Sequence, residues 1–386
     1  MHGYPPAAGG RTSGWDMTAR GGDPLGRVLR TVVEPRARET DDQGRFPRET
    51  VAALAEAGLL GLTLPSRCGG GGRGLVEAVD VITRLARACG STAAILASHY
   101  TATAALRRDA GPELLREVAA GRHLTSLALA EPGNPGTIPT GRADSAGGVT
   151  ALTARKNWVT AAGEADSYLW CGREDDGGLS WWLVPSQAPG LCVPAHADAV
   201  GLRGSATATL TADPVRVPDS ALLGARGGGA DPLVEIVLPW LCALQAALAL
   251  GLMQAVLARG VACVTGPQPS WSRWQDPPAE RPEVRADLAR MRTKVDTAAL
   301  ALTDAVGSRW HADGLERLLQ ARALAGEHAV HVAELGIKVC GQHAFRKDYG
   351  VERRFRDAHT AAHGQLPADR ALDHLARLTC GRPLLG

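Results

Sequence analysis

None of the eight cysteines (68, 89, 171, 192, 242, 263, 340 and 380) stands in a Cys-x-x-Cys pair. That removes the usual spacing of a zinc site and gives no sign of a disulfide framework, so a reduced cytoplasmic compartment is expected. An excess of one charge is also missing: 42 Lys and Arg face 40 Asp and Glu, leaving +2. Without a basic stripe there is no grip for a phosphate backbone, and a small-molecule partner is expected rather than nucleic acid. The opening "MHGYPPAAGGRTSGWDMTARGGDP" has no apolar core for export, and residues 1–25 read as a flexible leader. No internal repeat is present.

What is there is a long chain with enough apolar material for several cores. At 386 residues and 45% hydrophobic content it predicts two or three packed units. Residues 236–258, "IVLPWLCALQAALALGLMQAVLA", run without a charge and are long enough to cross a bilayer. Pro239 in the first turn and the interruptions Gln245 and Gln254 favour a bundle helix buried on all sides, and no membrane contact is expected.

The texture changes twice. From about 46 to 121 the apolar spacing is helical, in "FPRETVAALAEAGLLG", "LVEAVDVITRLARACG" and "STAAILASHYTATAALRRDAG", the last with Ser91 placed to cap. The linking "PSRCGGGGRG" is glycine-rich but lacks a following Gly-Lys-Ser/Thr, so it reads as a turn and not a phosphate loop. Between 124 and 224 short alternating runs follow, "HLTSLALAE", "VTALTARKNWVTA", "SYLWCGRE", "LSWWLVPS" and "ATATLTADPVRVP", which predict a small β-barrel or sandwich. Helical periodicity returns after Asp231. The expected fold class is α+β multidomain: leader 1–25, helical domain 26–123, β-barrel domain 124–230 and helical bundle 231–386.

Trp158 and Thr160 stand two apart on an expected strand, so both side chains project from one face while Val159 points away. An indole beside a hydroxyl suits a flat heterocycle, and it equally suits a packed core. On another helix "EHAVHVAE" sets His328 and His331 three apart with Glu327 and Glu334 nearby. A di-iron bundle site needs a matching Glu-x-x-His elsewhere; none is visible, and no metal is expected.

Four separated runs, "LALAEPGNPGT" (127–137), "KNWVTAAGEAD" (156–166), "GLRGSATATLTADPVRVPDSALLG" (201–224) and "VCGQHAFRKDYGVERRFRDA" (339–358), resemble the acyl-CoA dehydrogenase family in order and spacing. The resemblance extends from about Phe46 to Gly386. It implies a helical domain, a middle β-barrel and a four-helix bundle, with FAD between barrel and bundle in a homodimer or homotetramer. It also implies a reaction in which a carboxylate removes an α-proton from an acyl thioester, on CoA or a carrier protein, while a hydride leaves to the flavin. An electron-transfer partner or oxygen would then reoxidise the flavin.

Carried over residue by residue, the resemblance assigns Trp158 and Thr160 to the flavin ring. The backbone of Leu129 and Ala130 falls to its pyrimidine edge, Thr137 to the same run, and Lys338, Gly341 and Gln342 to the ADP end. The family's threonine before Glu-Pro-Gly is Ala130 here, its Arg-x-x-Phe-Gly has no counterpart in "VTGPQPSWSRWQDPPAERP", and its Gly-Gly-x-Gly is Gly341-Gln342-His343-Ala344. In "RFRDAHTAAHGQLPADRAL" the position of the usual catalytic glutamate is Gln365, and the second position used in the family falls at Leu241, beside Cys242. An amide cannot take the proton, so Gln365 is a candidate for orienting a carbonyl. His363, two residues away, is the candidate base, ahead of His359 and Asp369. The same residues allow two other outcomes: a flavin-dependent monooxygenase or oxidase needing no α-proton base, or a flavin-free binding protein that has lost catalysis.

Overall fold

The computed structural model describes residues 22–133, 139–194, 198–266 and 278–385. The first helix begins at Pro24, inside the span read as a leader, because the Asp23 carboxylate accepts from the Gly26 N–H (2.9 Å) and caps it. Helix α1 (Pro24–Val28) passes through a π turn, Leu29–Val33, into α2 (Glu34–Gln43). α3 (Arg48–Glu56), α4 (Leu75–Ala88), α5 (Gly90–Asp109) and α6 (Pro112–Ala119) complete the helical unit. Helix α4 buries Leu75, Ala78, Val81, Ile82 and Leu85, the 3/4 stripe read from the sequence. α5 is buried on every side from Gly90 to Ala104, because it packs against α4, the long bundle helix and the first strand.

Two local readings change. Ser91 does not cap α5: the N-cap is Cys89, and the Ser91 hydroxyl accepts from the Gly204 N–H (3.1 Å), tying α5 to the turn before β7. In the glycine-rich turn the N–H groups of Gly70, Gly71, Gly72 and Arg73 all donate to carbonyls of residues 61–65. They are spent within the turn and present no anion cradle.

The strands are β1 (Thr125–Ala128), β2 (Arg142–Ala146), β3 (Val149–Val159), β4 (Ser167–Arg173), β5 (Leu179–Pro185), β6 (Leu191–Cys192), β7 (Ala208–Pro218) and β8 (Leu222–Leu223). They lie in the order β6-β7-β3-β2-β4-β5-β8, with β1 parallel to β4. A single parallel pair, Arg142 with Arg173, joins an antiparallel β6-β7-β3-β2 half to a β4-β5-β8 half. All five segments read as strands from the sequence are strands, and Tyr168, Trp170 and Trp182 fill the interior.

From α7 (Ala230–Pro232) a second π turn, Leu233–Val237, leads into α8 (Leu238–Thr265). Of the 18 most apolar consecutive residues in this helix 83% are buried within the protein, as expected of a central bundle helix. Around it pack α9 (Pro282–Gly307), α10 (Gly314–Cys340) and α11 (Val351–His363), while α12 (Ala368–Thr379) packs on α10. Among the described residues no cluster of three or more His, Cys, Asp or Glu side chains could hold a metal, and His328 Nδ1 instead meets the Lys294 carbonyl (3.2 Å).

Candidate active site

Where α5, the end of β3, α8 and α11 converge lies a cavity of about 410 Å³. Ala97 and Thr101 line it from α5, Trp158 and Thr160 from β3 and its exit, and Leu241 and Gln245 from α8. A second cavity of about 270 Å³ opens between the 129–133 segment and the turn after α11, with His363 and Arg370 on its rim. Asn157, Trp158, Gly364 and Gln365 border both.

Gln365 is the partition, and its amide is fully engaged. Its Oε1 accepts from the N–H groups of Ala130 (3.0 Å) and Leu129 (3.4 Å), and its Nε2 donates to the carbonyls of Leu127 (2.7 Å) and Trp158 (3.0 Å). Two donors and two acceptors of the backbone thus converge on one point, the complement of a planar C=O/N–H edge. The two donors, Leu129 and Ala130, are the backbone pair that the resemblance assigned to a flavin pyrimidine, here holding the protein's own amide together with the Leu127 and Trp158 carbonyls. With both lone pairs and both hydrogens used, Gln365 has nothing left in this arrangement to orient a substrate carbonyl.

Trp158 and Thr160 do share the larger cavity, but not through simple alternation. The β3–β7 register shifts between Lys156 and Val159, and Trp158 takes a left-handed backbone (φ 56°). This bulge turns the indole out, 38% exposed, while Val159 is fully buried. Holding a tryptophan there costs on the order of 1–2 kcal/mol. The neighbouring backbone is tied down: Asn157 N–H donates to Ala130 O (2.8 Å), and Ala161 and Ala162 donate to Ser205 and Ala206 (both 2.9 Å).

Two buried cations brace the site, and the sequence reading missed both. Lys156 Nζ meets Glu131 Oε1 at 2.6 Å and donates to Cys171 O, with both charged side chains almost wholly out of solvent. Burial pushes the Glu131 carboxyl up, but Lys156 and the Thr140 donors outweigh it, so it lies below its ordinary range. The pair fixes the 129–131 segment against β3. Arg322 of α10 is fully buried and donates to Ala361 O (3.1 Å), Ala362 O (2.9 Å) and Leu366 O (2.9 Å), clamping the turn that carries Gln365. Its Nε also donates to Gln245 Oε1 (2.8 Å). Burial pulls the guanidinium down to about 10, so it stays charged at neutral pH. A lysine on an otherwise inward strand position and a glutamine inside a charge-free helix were the available signals.

No ionisable side chain lines the larger cavity among the described residues. His363 is exposed and borders only the smaller one. His359 packs on Phe355 (4.4 Å between ring centres) and lines neither cavity. Asp369 sits on the rim of the smaller cavity. Leu241, the second position that the resemblance singled out, lines the larger cavity, and Cys242 beside it is buried. Burial pushes Asp357 up to about 6, but its carboxylate accepts from Leu202 N–H (2.6 Å) and faces neither cavity. Lys338 pairs with Asp287 (2.7 Å), and Gly341 and Gln342 form the turn ending α10; none of the three reaches the cavities. Thr137 lies outside the described residues.

Comparison with known proteins agrees along most of the chain. Family models described as the acyl-CoA dehydrogenase N-terminal, middle and C-terminal domains match residues 23–119, 126–215 and 243–366. The protein named "Probable acyl-CoA dehydrogenase YngJ" of Bacillus subtilis (strain 168) is 28% identical over 367 residues, covering 92% of this chain and 94% of that one. Acryloyl-CoA reductase (NADH) of Anaerotignum propionicum is 28% identical over 342 residues, covering 84% and 85%. The fold matches butyryl-CoA dehydrogenase from Megasphaera elsdenii with a TM-score of 0.83 at 20% identity, over 93% of this chain and 98% of that one.

Proposed function

Because this chain belongs to the acyl-CoA dehydrogenase family and is an oxidoreductase acting on a CH–CH pair, we propose that it is FAD-dependent and acts on an acyl thioester, carried by CoA or a carrier protein, without the usual carboxylate base. The observation that carries this reading is the backbone cradle of Leu127, Leu129, Ala130 and Trp158, which already binds an amide edge. A flavin pyrimidine presents the same alternation of carbonyl and N–H, so the residues present fit its ring end once Gln365 swings away.

Bound flavin would supply hydride chemistry next to the larger cavity. The protein's own part is positional. Trp158 walls the ring site, the Thr160 hydroxyl stands at its edge, and the small side chains of α5 leave room for an acyl group. Arg322 holds the 364–366 turn against α8 from a fully buried position. Proton removal is where the chain departs: with no ionisable group on the described lining, a protein base worth about 10²–10⁴ in rate is missing. His363 could serve only from the smaller cavity. That same gap supports a second reading, flavin-dependent oxygenation or oxidation that needs no α-proton base, which oxygen uptake with reduced flavin would distinguish. An electron-transfer partner or oxygen as acceptor, a homodimer or homotetramer meeting the dinucleotide's phosphates, and a cytoplasmic location belong to the same proposal.

Titrating flavin-free protein with FAD and following flavin fluorescence tests it. Wild-type protein should bind, and Gln365→Ala, which removes the internal competitor, should bind about tenfold tighter, the worth of one or two net hydrogen bonds. Absence of binding by both would leave a flavin-free binding protein and end the FAD assignment.

A further inference from the structure

Resting on the thioester reading above, we propose that Gln245 selects an acyl group bearing a second acceptor oxygen, a ketone or a carboxylate, at the end that meets α8. The orientation of the Gln245 amide is fixed by chemistry. A guanidinium can only donate, so the oxygen must be the atom facing Arg322 Nε at 2.8 Å, and the NH2 is left on the other side. That NH2 has no hydrogen bond among the described residues and stands beside Gly364, where an added methyl would lie 3.0 Å from it. Gln245 therefore presents a fixed donor to the cavity.

The surroundings make that donor selective. The other polar groups nearby are largely engaged: Ser98 bonds to Ser126 (2.8 Å), Thr101 donates to Ala97 O (2.9 Å), and Thr360 donates to Arg356 O (3.0 Å). Behind Gln245 stands a buried cation with no carboxylate within ion-pair distance among the described residues; Asp369 acts on it only from farther off, on the rim of the smaller cavity, so its potential still reaches the larger one. A wholly hydrocarbon acyl group would leave the donor desolvated and unpaired. One with an acceptor oxygen would pair it, backed by the Arg322 charge.

Pantetheine thioesters, the end common to CoA and carrier proteins, give the test by calorimetric titration of the full chain. Acetoacetyl-pantetheine or succinyl-pantetheine should bind at least about tenfold tighter than butyryl-pantetheine, as expected for a charge-backed hydrogen bond. The better of the two tells ketone from carboxylate, and either order upholds the inference. Gln245→Leu should bring the three within about twofold. Gln245→Glu keeps a partner for Arg322 and hence the fold, and should disfavour the succinyl ester. Equal binding by wild-type protein, or a preference that survives both substitutions, overturns the role of Gln245 and leaves the thioester reading standing. Failure of all three esters to bind removes both.

Discussion

Two glutamine amides border the same cavity and do opposite things. Gln365 spends two lone pairs and two hydrogens on the backbone of Leu127, Leu129, Ala130 and Trp158. Gln245 gives its oxygen to Arg322 and keeps its NH2 for the cavity. The same functional group is thus a closed plug in one place and an open donor in the other. The difference lies in what faces each: a converging set of backbone donors and acceptors satisfies both ends of an amide, whereas a cation satisfies only the oxygen.

Gln365→Glu breaks the contrast most sharply. A carboxylate keeps the Leu129 and Ala130 donors but sets a negative charge against the Leu127 and Trp158 carbonyls, so it should leave the cradle for the larger cavity and supply the missing base. Dye-linked dehydrogenation of an acyl thioester by FAD-loaded enzyme should rise by about 10²–10⁴; unchanged rates would show that proton removal is not the deficit. Next in size is Glu131→Gln, which strands the buried Lys156 ammonium and loosens the segment that offers the two N–H groups. Urea unfolding should show a loss of about 3–5 kcal/mol. The smallest effect concerns α11, whose end carries Gln365. Asp357 there is raised from 3.8 to about 6 by burial, so the folded state holds its proton more tightly than the unfolded chain. Its contribution is present below the unfolded value and lost as pH rises toward 6. Relative to wild type, Asp357→Asn should gain stability between about pH 4 and 6 and hold that gain above, by at most about 3 kcal/mol from a shift of about two units. A flat difference across that window would remove Asp357 as the titrating group.

Much of this was legible in the chain. The helix-strand-helix order followed from periods of 3.6 and 2, and the resemblance singled out Gln365, which borders both cavities. Two things escaped for physical reasons. Alternation along β3 could not reveal the bulge that turns Trp158, because a register shift arises from pairing with β7 across about fifty residues. The braces Lys156–Glu131 and Arg322–Gln245 join residues far apart in the chain, so the lysine and the glutamine stood out of pattern but their partners could not be named. The role of Ser91 shifted for the same reason: a hydroxyl suited to its own helix found a better donor in Gly204.

Arg322 reaches the last turn of α11 and the loop that follows it only through main-chain oxygens, at Ala361, Ala362 and Leu366, and never through the side chain at 365. The reagent at the tip can therefore be exchanged while the scaffold that aims it keeps every contact. A single codon is enough to turn an acid into a stopper, or a stopper back into an acid, with the architecture untouched.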